Sequence, residues 1–229
     1  NVVTADATAK DQGFSFQNTT NSYHSYFASK ANGFHRYQLD GQPFDFAMLG
    51  ASDAQPISQG ETVAYPGAAE GVDLQYTVLS GKLKEDIILT RYTGQNIFRF
   101  AIKTPMGVTG RADDSGSVVF YDAEGKDICR LPAPYMYDKT WADNHANGID
   151  DGAESRDVRF ELSQENGLLV VSVIADKDWL TDPARVYPVT IDPSYESTRG
   201  SGWPHDTCVA QGCPDSNYGS WGYFRTGWR

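Results

Sequence analysis

The chain has 229 residues, with 30 Asp and Glu against 19 Lys and Arg, for a formal charge of −11. That balance excludes the clustered cationic surface needed to bind a phosphate backbone or an anionic bilayer, so neither nucleic acid nor membrane insertion is expected. Hydrophobic residues at 40% and aromatics at 13% suffice for a sizeable core, and 22 Gly, 11 Pro and 13 Tyr suit short strands joined by many turns.

The amino terminus "NVVTADATAK" lacks the basic-then-apolar pattern of a signal peptide, so the chain reads as processed or as beginning inside a longer polypeptide. The first 60 residues place aromatic patches such as "NSYHSYF" and "FHRYQL" between turn residues, the pattern of short strands. Asp40-Gly41 marks a turn between strands expected over Phe34–Leu39 and Phe44–Met48. The clearest period of two follows. Val72, Leu74, Tyr76 and Val78 alternate with Asp73, Gln75 and Thr77, Ser80-Gly81 turns the chain, and Leu83, Ile87 and Leu89 share one face of the return strand. Glu85 is the exception on that apolar face, and Asp86 falls among the outward residues with Lys84 two positions before it.

"NIFRFAIK" reads as another strand. "SGSVVFYDAEGKDICRL" and "RFELSQENGLLVVSVIA" read as hairpins turning at Ala123–Gly125 and Asn166–Gly167, and "VYPVTIDP" closes the series. Only "DKDWLTDPA" suggests a helical turn. The expectation is an all-β, antiparallel β-sandwich over residues 1–193, a polar linker over 194–204, and the truncated start of a second β-module over 205–229.

Three motifs recur in a fixed order along this frame: Tyr65-Pro66 with Gly71-Val72-Asp73-Leu74 and Lys84-Glu85-Asp86, then "LPAPYMYD" (131–138), then "DWLTDPARVYPVTIDPS" (178–194). After them, "DTCVAQGCPDSNYGSWGYFRTG" is similar to the opening of a DNRLRE-type β-domain. Together, over residues 62–229, they resemble the amino-terminal region of secreted Rhs/YD-repeat polymorphic toxins and wall-associated proteins. The resemblance implies a secreted or cell-surface, non-catalytic structural and attachment module, not itself an enzyme, that displays a downstream toxin domain. Its partners would be other modules of the same large protein. A carbohydrate-binding adhesin that takes cell-surface polysaccharide is the alternative. The stretch "TWADNHANGIDDGAES" departs from the family pattern as an insertion.

That insertion holds the sharpest local signal. Asp143, His145, Asn147, Gly148 and Glu154 occupy positions 1, 3, 5, 6 and 12 of a calcium loop. His145 suits a hard cation poorly, but Asp143, Asn147, Asp150, Asp151 and Glu154 form a set that could converge on Ca2+ in a non-helical loop; a solvated acidic loop is the other reading. No other cofactor is expected. Glu85 and Asp86 are adjacent on a strand and point to opposite faces, so they cannot form a glycosidase pair; Lys84-Glu85-Asp86 reads as a structural ion pair, with Glu85 needing a cation such as Arg to stay charged. Cys208 and Cys213 fit a small disulfide loop in an oxidising compartment, with free thiols or a metal site using His205 as alternatives; Cys129 reads as a buried thiol. Trp203, Trp221, Tyr223 and Trp228 in the tail, and Tyr23, Tyr26 and Phe27 near the start, are candidates for sugar stacking or for core. No nucleophile-elbow motif occurs, and the four histidines lack metal-ligand spacing.

Overall fold

Alternating apolar residues and glycine-containing turns fold most of the chain into paired strands. The computed structural model describes residues 2–18, 20–149 and 151–197. From the amino end the elements are β1 (Val2–Thr4), α1 (Ala7–Asp11), β2 (Phe14–Asn18), β3 (Tyr23–Ala28), β4 (His35–Leu39) and β5 (Gln42–Met48). Next come β6 (Ile57–Gln59), β7 (Thr62–Ala69), β8 (Val72–Val78), β9 (Lys82–Leu89) and β10 (Ile97–Lys103). They are followed by β11 (Thr109–Ala112), β12 (Val118–Tyr121), β13 (Asp127–Leu131), β14 (Tyr135–Tyr137), α2 (Lys139–Ala146) and β15 (Glu154–Ser155). The last are β16 (Val158–Glu165), β17 (Leu168–Ala175), α3 (Lys177–Thr181), β18 (Val189–Asp192) and β19 (Tyr195–Ser197).

The strands form two antiparallel sheets, the all-β sandwich that the sequence suggests. The first runs β1-β2-β3-β4-β5-β10-β17-β16. The second is a meander, β6-β7-β8-β9, whose last strand is shared on its far side by two partners. Strand β18 pairs with one half of β9 and leads on to β14 and β15, while β19 pairs with the other half and leads on to β13, β12 and β11. The second sheet therefore forks along β9.

The core lies between the sheets and is unusually aromatic, with Phe27, Tyr37, Phe44, Phe46, Tyr65, Tyr76, Phe98 and Phe120 fully buried. The expected hairpins hold. Asp40 and Gly41 (φ 47° and 78°) and Asn166 and Gly167 (φ 50° and 79°) take the left-handed conformations that two-residue turns require. The sheets also meet at their edges. The Val2 amide donates to the Gly60 carbonyl at 3.1 Å, and at Gly110 a Cβ would stand 2.7 Å from Leu169 Cδ2, so a larger residue there would have to push the leucine aside.

Two expectations are corrected. The insertion after Asp138, expected as a loop, begins as a helix, α2, and ends in strand β15. The Asp138 carboxylate accepts from the Trp141 amide at 3.0 Å, capping α2, and Lys139 pairs with Asp143 one turn on. A short α1 also forms, capped by Asp6 in the same way. At the other end, Tyr195 is 2% exposed in the core and β19 pairs with both β9 and β13, so residues 195–197 belong to the sheet rather than to a linker.

Candidate functional site

The fork brings together two motifs more than a hundred residues apart. On β9, Ile87 pairs with Ile191 of β18 and Leu83 pairs with Tyr195 of β19, so Lys84–Glu85–Asp86 lies across from Asp192–Pro193–Ser194. Pro193 has no amide hydrogen to give a ladder bond, and side chains hold the gap instead. The Lys84 ammonium contacts the Asp86 carboxylate and stands 3.4 Å from Asp192 Oδ2. Asp192 Oδ1 accepts from the Ser194 amide at 3.1 Å and from the Ser194 hydroxyl. On β14, Tyr135 pairs with Asp192 and Tyr137 with Thr190, so both tyrosines flank the cluster.

Burial dominates the electrostatics. The side chains of Lys84, Asp86 and Asp192 are only 22%, 6% and 4% exposed. Burial pushes the Asp86 carboxyl up to about 6, with Lys84 opposing the rise. The same burial works to lower Lys84, but the carboxylates of Asp86 and Asp192 outweigh it and hold the ammonium above its ordinary range. An amine and two carboxyl groups in so dry a setting can pair, exchange a proton or condense.

Glu85 points the other way, into the core, and is 1% exposed. Burial pushes its carboxyl up to about 8, partly offset by the nearby Tyr76 hydroxyl. It lines a small crevice with Phe100, Leu131, Phe160, Val171 and Tyr195. Among the described residues nothing hydrogen-bonds Glu85 Oε1, Tyr76 Oη, Tyr37 Oη or His35 Nε2. The expected cationic partner for Glu85 is therefore replaced by tyrosines, and burial favours the protonated carboxyl. Tyr76 packs on His35 at 4.7 Å between ring centroids, and burial pushes that imidazole down to about 3.

The other motif residues act as joints. Tyr65 donates to the Ala28 carbonyl at 2.6 Å, while pairing of β7 with β8 shifts between Tyr65 and Ala69 around Pro66. There the Gly67 amide turns to the Asp73 carboxylate at 2.7 Å. Asp138, besides capping α2, lies 3.5 Å from buried Arg185, whose guanidinium stacks 3.7 Å over Trp179.

The residues of the expected calcium loop are spread along α2 and beyond it. Asp143 pairs with Lys139 on the helix, Asn147 donates from its side chain to the Asp143 carbonyl at 2.7 Å, the Asp151 side chain accepts from the Gly152 amide, and Glu154 of β15 pairs with Arg156 just beyond that strand. Asp150 lies outside the described residues. Among the described residues no group of three or more His, Cys, Asp or Glu is placed to hold a metal ion. Tyr23 and Phe27 are buried in the core, and Cys129 is a buried free thiol. Cys208, Cys213, Trp203, Trp221, Tyr223 and Trp228 lie outside the described residues. Sequence reasoning missed a column of rings, Tyr135–Tyr137–Trp141–His145, with Trp141 and His145 stacked at 4.4 Å. Its only sequence signal is the i, i+4 spacing of Tyr137, Trp141 and His145, which a loop assignment hides.

No family model matches the chain, and no solved structure does. Over 156 residues the chain is 34% identical to the tRNA nuclease WapA of Bacillus subtilis (strain 168) and to the tRNA3(Ser)-specific nuclease WapA of Bacillus spizizenii. It is 26% identical over 144 residues to the wall-associated protein of Geobacillus stearothermophilus. The chain is related to wall-associated proteins. The matches cover 68% of this chain but 6% of each WapA protein, and 57% of this chain and 53% of the Geobacillus protein. They correct one expectation: the resemblance implied a non-catalytic attachment protein, and the WapA relatives are nucleases by name. Among the described residues, no helix is long and apolar enough to cross a membrane.

Proposed function

We propose that this chain is a segment of a secreted or cell-surface nuclease toxin that cleaves tRNA. The observation that carries this reading is the 34% identity over 156 residues to proteins named as tRNA nucleases. The motif order Tyr65-Pro66, Lys84–Asp86, Asp138 and Ile191–Pro193 supports it, since each of these residues fills a definite joint of the sandwich. The finer assignment, to the Rhs/YD-repeat class with a DNRLRE-type domain opening at residue 205, rests on the sequence motifs and belongs to the same proposal.

The experiment compares two proteins on deacylated total tRNA: the product of the entire gene and the 229-residue chain alone. Cleavage by the gene product supports the reading, and the second arm locates the site within or beyond this chain. Absence of cleavage by both overturns it. If the chain alone binds tRNA, Lys and Arg must carry the phosphate contacts against the net charge of −11, and binding falls with added salt in proportion to the number of those contacts.

A further inference from the structure

The fork places a primary amine against two carboxyl groups in a site nearly closed to water. We propose that Lys84 and Asp192 are joined by an intramolecular amide between Nζ and Cγ, formed by loss of water with Asp86 as the proton carrier.

Three features of the geometry support this bond. Lys84 Nζ lies 3.4 Å from Asp192 Oδ2, on the neighbouring strand, so the amine is held beside the carboxyl group it would attack. Asp192 Oδ1, the other carboxyl oxygen, is held by the Ser194 amide at 3.1 Å and by the Ser194 hydroxyl. Those two donors stand where negative charge develops when nitrogen adds to Cγ. Asp86, 6% exposed and in contact with Lys84, is the base and acid that the step requires.

The chemistry balances without an outside reagent. Lys84 gives one ammonium proton, through Asp86, to Asp192 Oδ2. The freed amine lone pair adds to Cγ, and Oδ1 takes the charge. Asp86 then removes a second proton from nitrogen and delivers it to Oδ2, which leaves as water while the Cγ–Oδ1 double bond reforms. One of the three ammonium protons stays on the amide nitrogen, and nothing is oxidised or reduced. In water, the ion pair resists condensation. The carboxylates hold the resting amine as an ammonium, so the free amine is reached only by the transfer through Asp86, and the amide then removes two charges from a largely buried site. The bond would also span the place where the backbone ladder is interrupted between 84–86 and 192–194.

The test is mass spectrometry of the 229-residue chain after reduction of its cysteines. The expected result is an intact mass lower than the sequence mass by one water, no tryptic cut after Lys84, and a branched peptide joining residues 83–91 to residues 186–199. A full-mass chain with both peptides unlinked overturns the proposal. So does a water loss confined to residues 83–91, which would place the bond on Asp86 instead. Lys84→Arg keeps a cation between the carboxylates but cannot be acylated in this way, so the branched peptide should vanish; its persistence elsewhere in the map overturns the assignment. Asp86→Asn should lower the branched fraction at least tenfold at early times, and an unchanged fraction removes Asp86 from the step.

Discussion

On the outer face of β9, Lys84 and Asp86 meet Asp192 as a paired group, whereas on the inner face Glu85 lies between Tyr76 and Tyr195 and is kept neutral by burial. All three acids are more than nine-tenths buried. What separates them is the company. The fork lets a lysine reach two acids at once, while the core offers Glu85 only hydroxyls and rings. A buried acid beside an amine is paired with it, as ion pair or amide, and acts as a clasp; a buried acid without one favours its protonated form and makes stability depend strongly on pH.

Removing the cation should therefore have the largest effect. Lys84→Ala leaves Asp86 and Asp192 facing each other across the fork, and breaking a buried pair from one side costs about 3–5 kcal/mol. Urea unfolding should show that loss as a lower midpoint with an unchanged slope. If the midpoint holds, the outer face is not a clasp and the contrast with Glu85 collapses. Adding Asp86→Leu to Lys84→Ala should recover part of the loss, because one of the two stranded charges is then gone.

Glu85 provides the next largest effect, and its sign is opposite to that of an ordinary carboxylate. Its folded pKa is raised to about 8 from the usual 4.5, so the folded state holds a proton that the unfolded state releases. The stabilising proton is fully present below the unfolded value and is lost as pH rises toward 8, at up to about 1.4 kcal/mol per pH unit. Asp86, raised to about 6, adds to the lower part of that window. His35, lowered to about 3, works in reverse and removes stability as pH falls below its ordinary 6.5. Stability measured by denaturant from pH 5 to 9 should fall on the alkaline side, and Glu85→Gln should flatten that limb above pH 6. A limb that stays as steep in the variant would show that Glu85 is charged in the fold.

The readable and unreadable parts of the molecule divide along the same line. The hairpins at Asp40-Gly41 and Asn166-Gly167 and the alternation from Val72 to Leu89 are local, and local patterns can be read in a sequence. Glu85 was visible as the wrong residue on an apolar face, and Asp192-Pro193 as a strand's end. Their meeting was not, because it depends on β18 and β19 choosing the same side of β9. Helix α2 escaped for another reason. None of its residues is buried, so it leaves no apolar stripe to read, and its support comes from the Asp138 cap, the Lys139–Asp143 pair and the stacked rings of Tyr137, Trp141 and His145. The family motifs were legible as motifs, but their spacing says nothing of Asp138 reaching Arg185 across 47 positions.

Two further ion pairs extend the contrast from buried to exposed. Asp138 and Arg185, 3% and 7% exposed, form a buried pair in which the acid also caps α2 and lies 3.3 Å from the Val186 amide, while the guanidinium has a second carboxylate, Asp182, at 3.8 Å. Asp138→Ala loses the cap and the nearer carboxylate of Arg185, so a loss of about 2–3 kcal/mol is expected, below that for Lys84→Ala because Arg185 keeps Asp182 at 3.8 Å, the Trp179 carbonyl and its stacking on Trp179. Asp138→Asn, which keeps an acceptor for the Trp141 amide, should lose less, and the difference isolates the charge. Lys139 and Asp143 stand at the far end of the series. They are 48% and 59% exposed, one turn apart on α2. Water screens such a pair and side-chain entropy opposes it, so Lys139→Ala should shift the unfolding midpoint by no more than about 0.5 kcal/mol, with the shift vanishing in added salt. A loss as large as that for Asp138→Ala would mean that pairing itself, rather than burial, sets the energy, and the difference between the two faces of β9 would then need another cause.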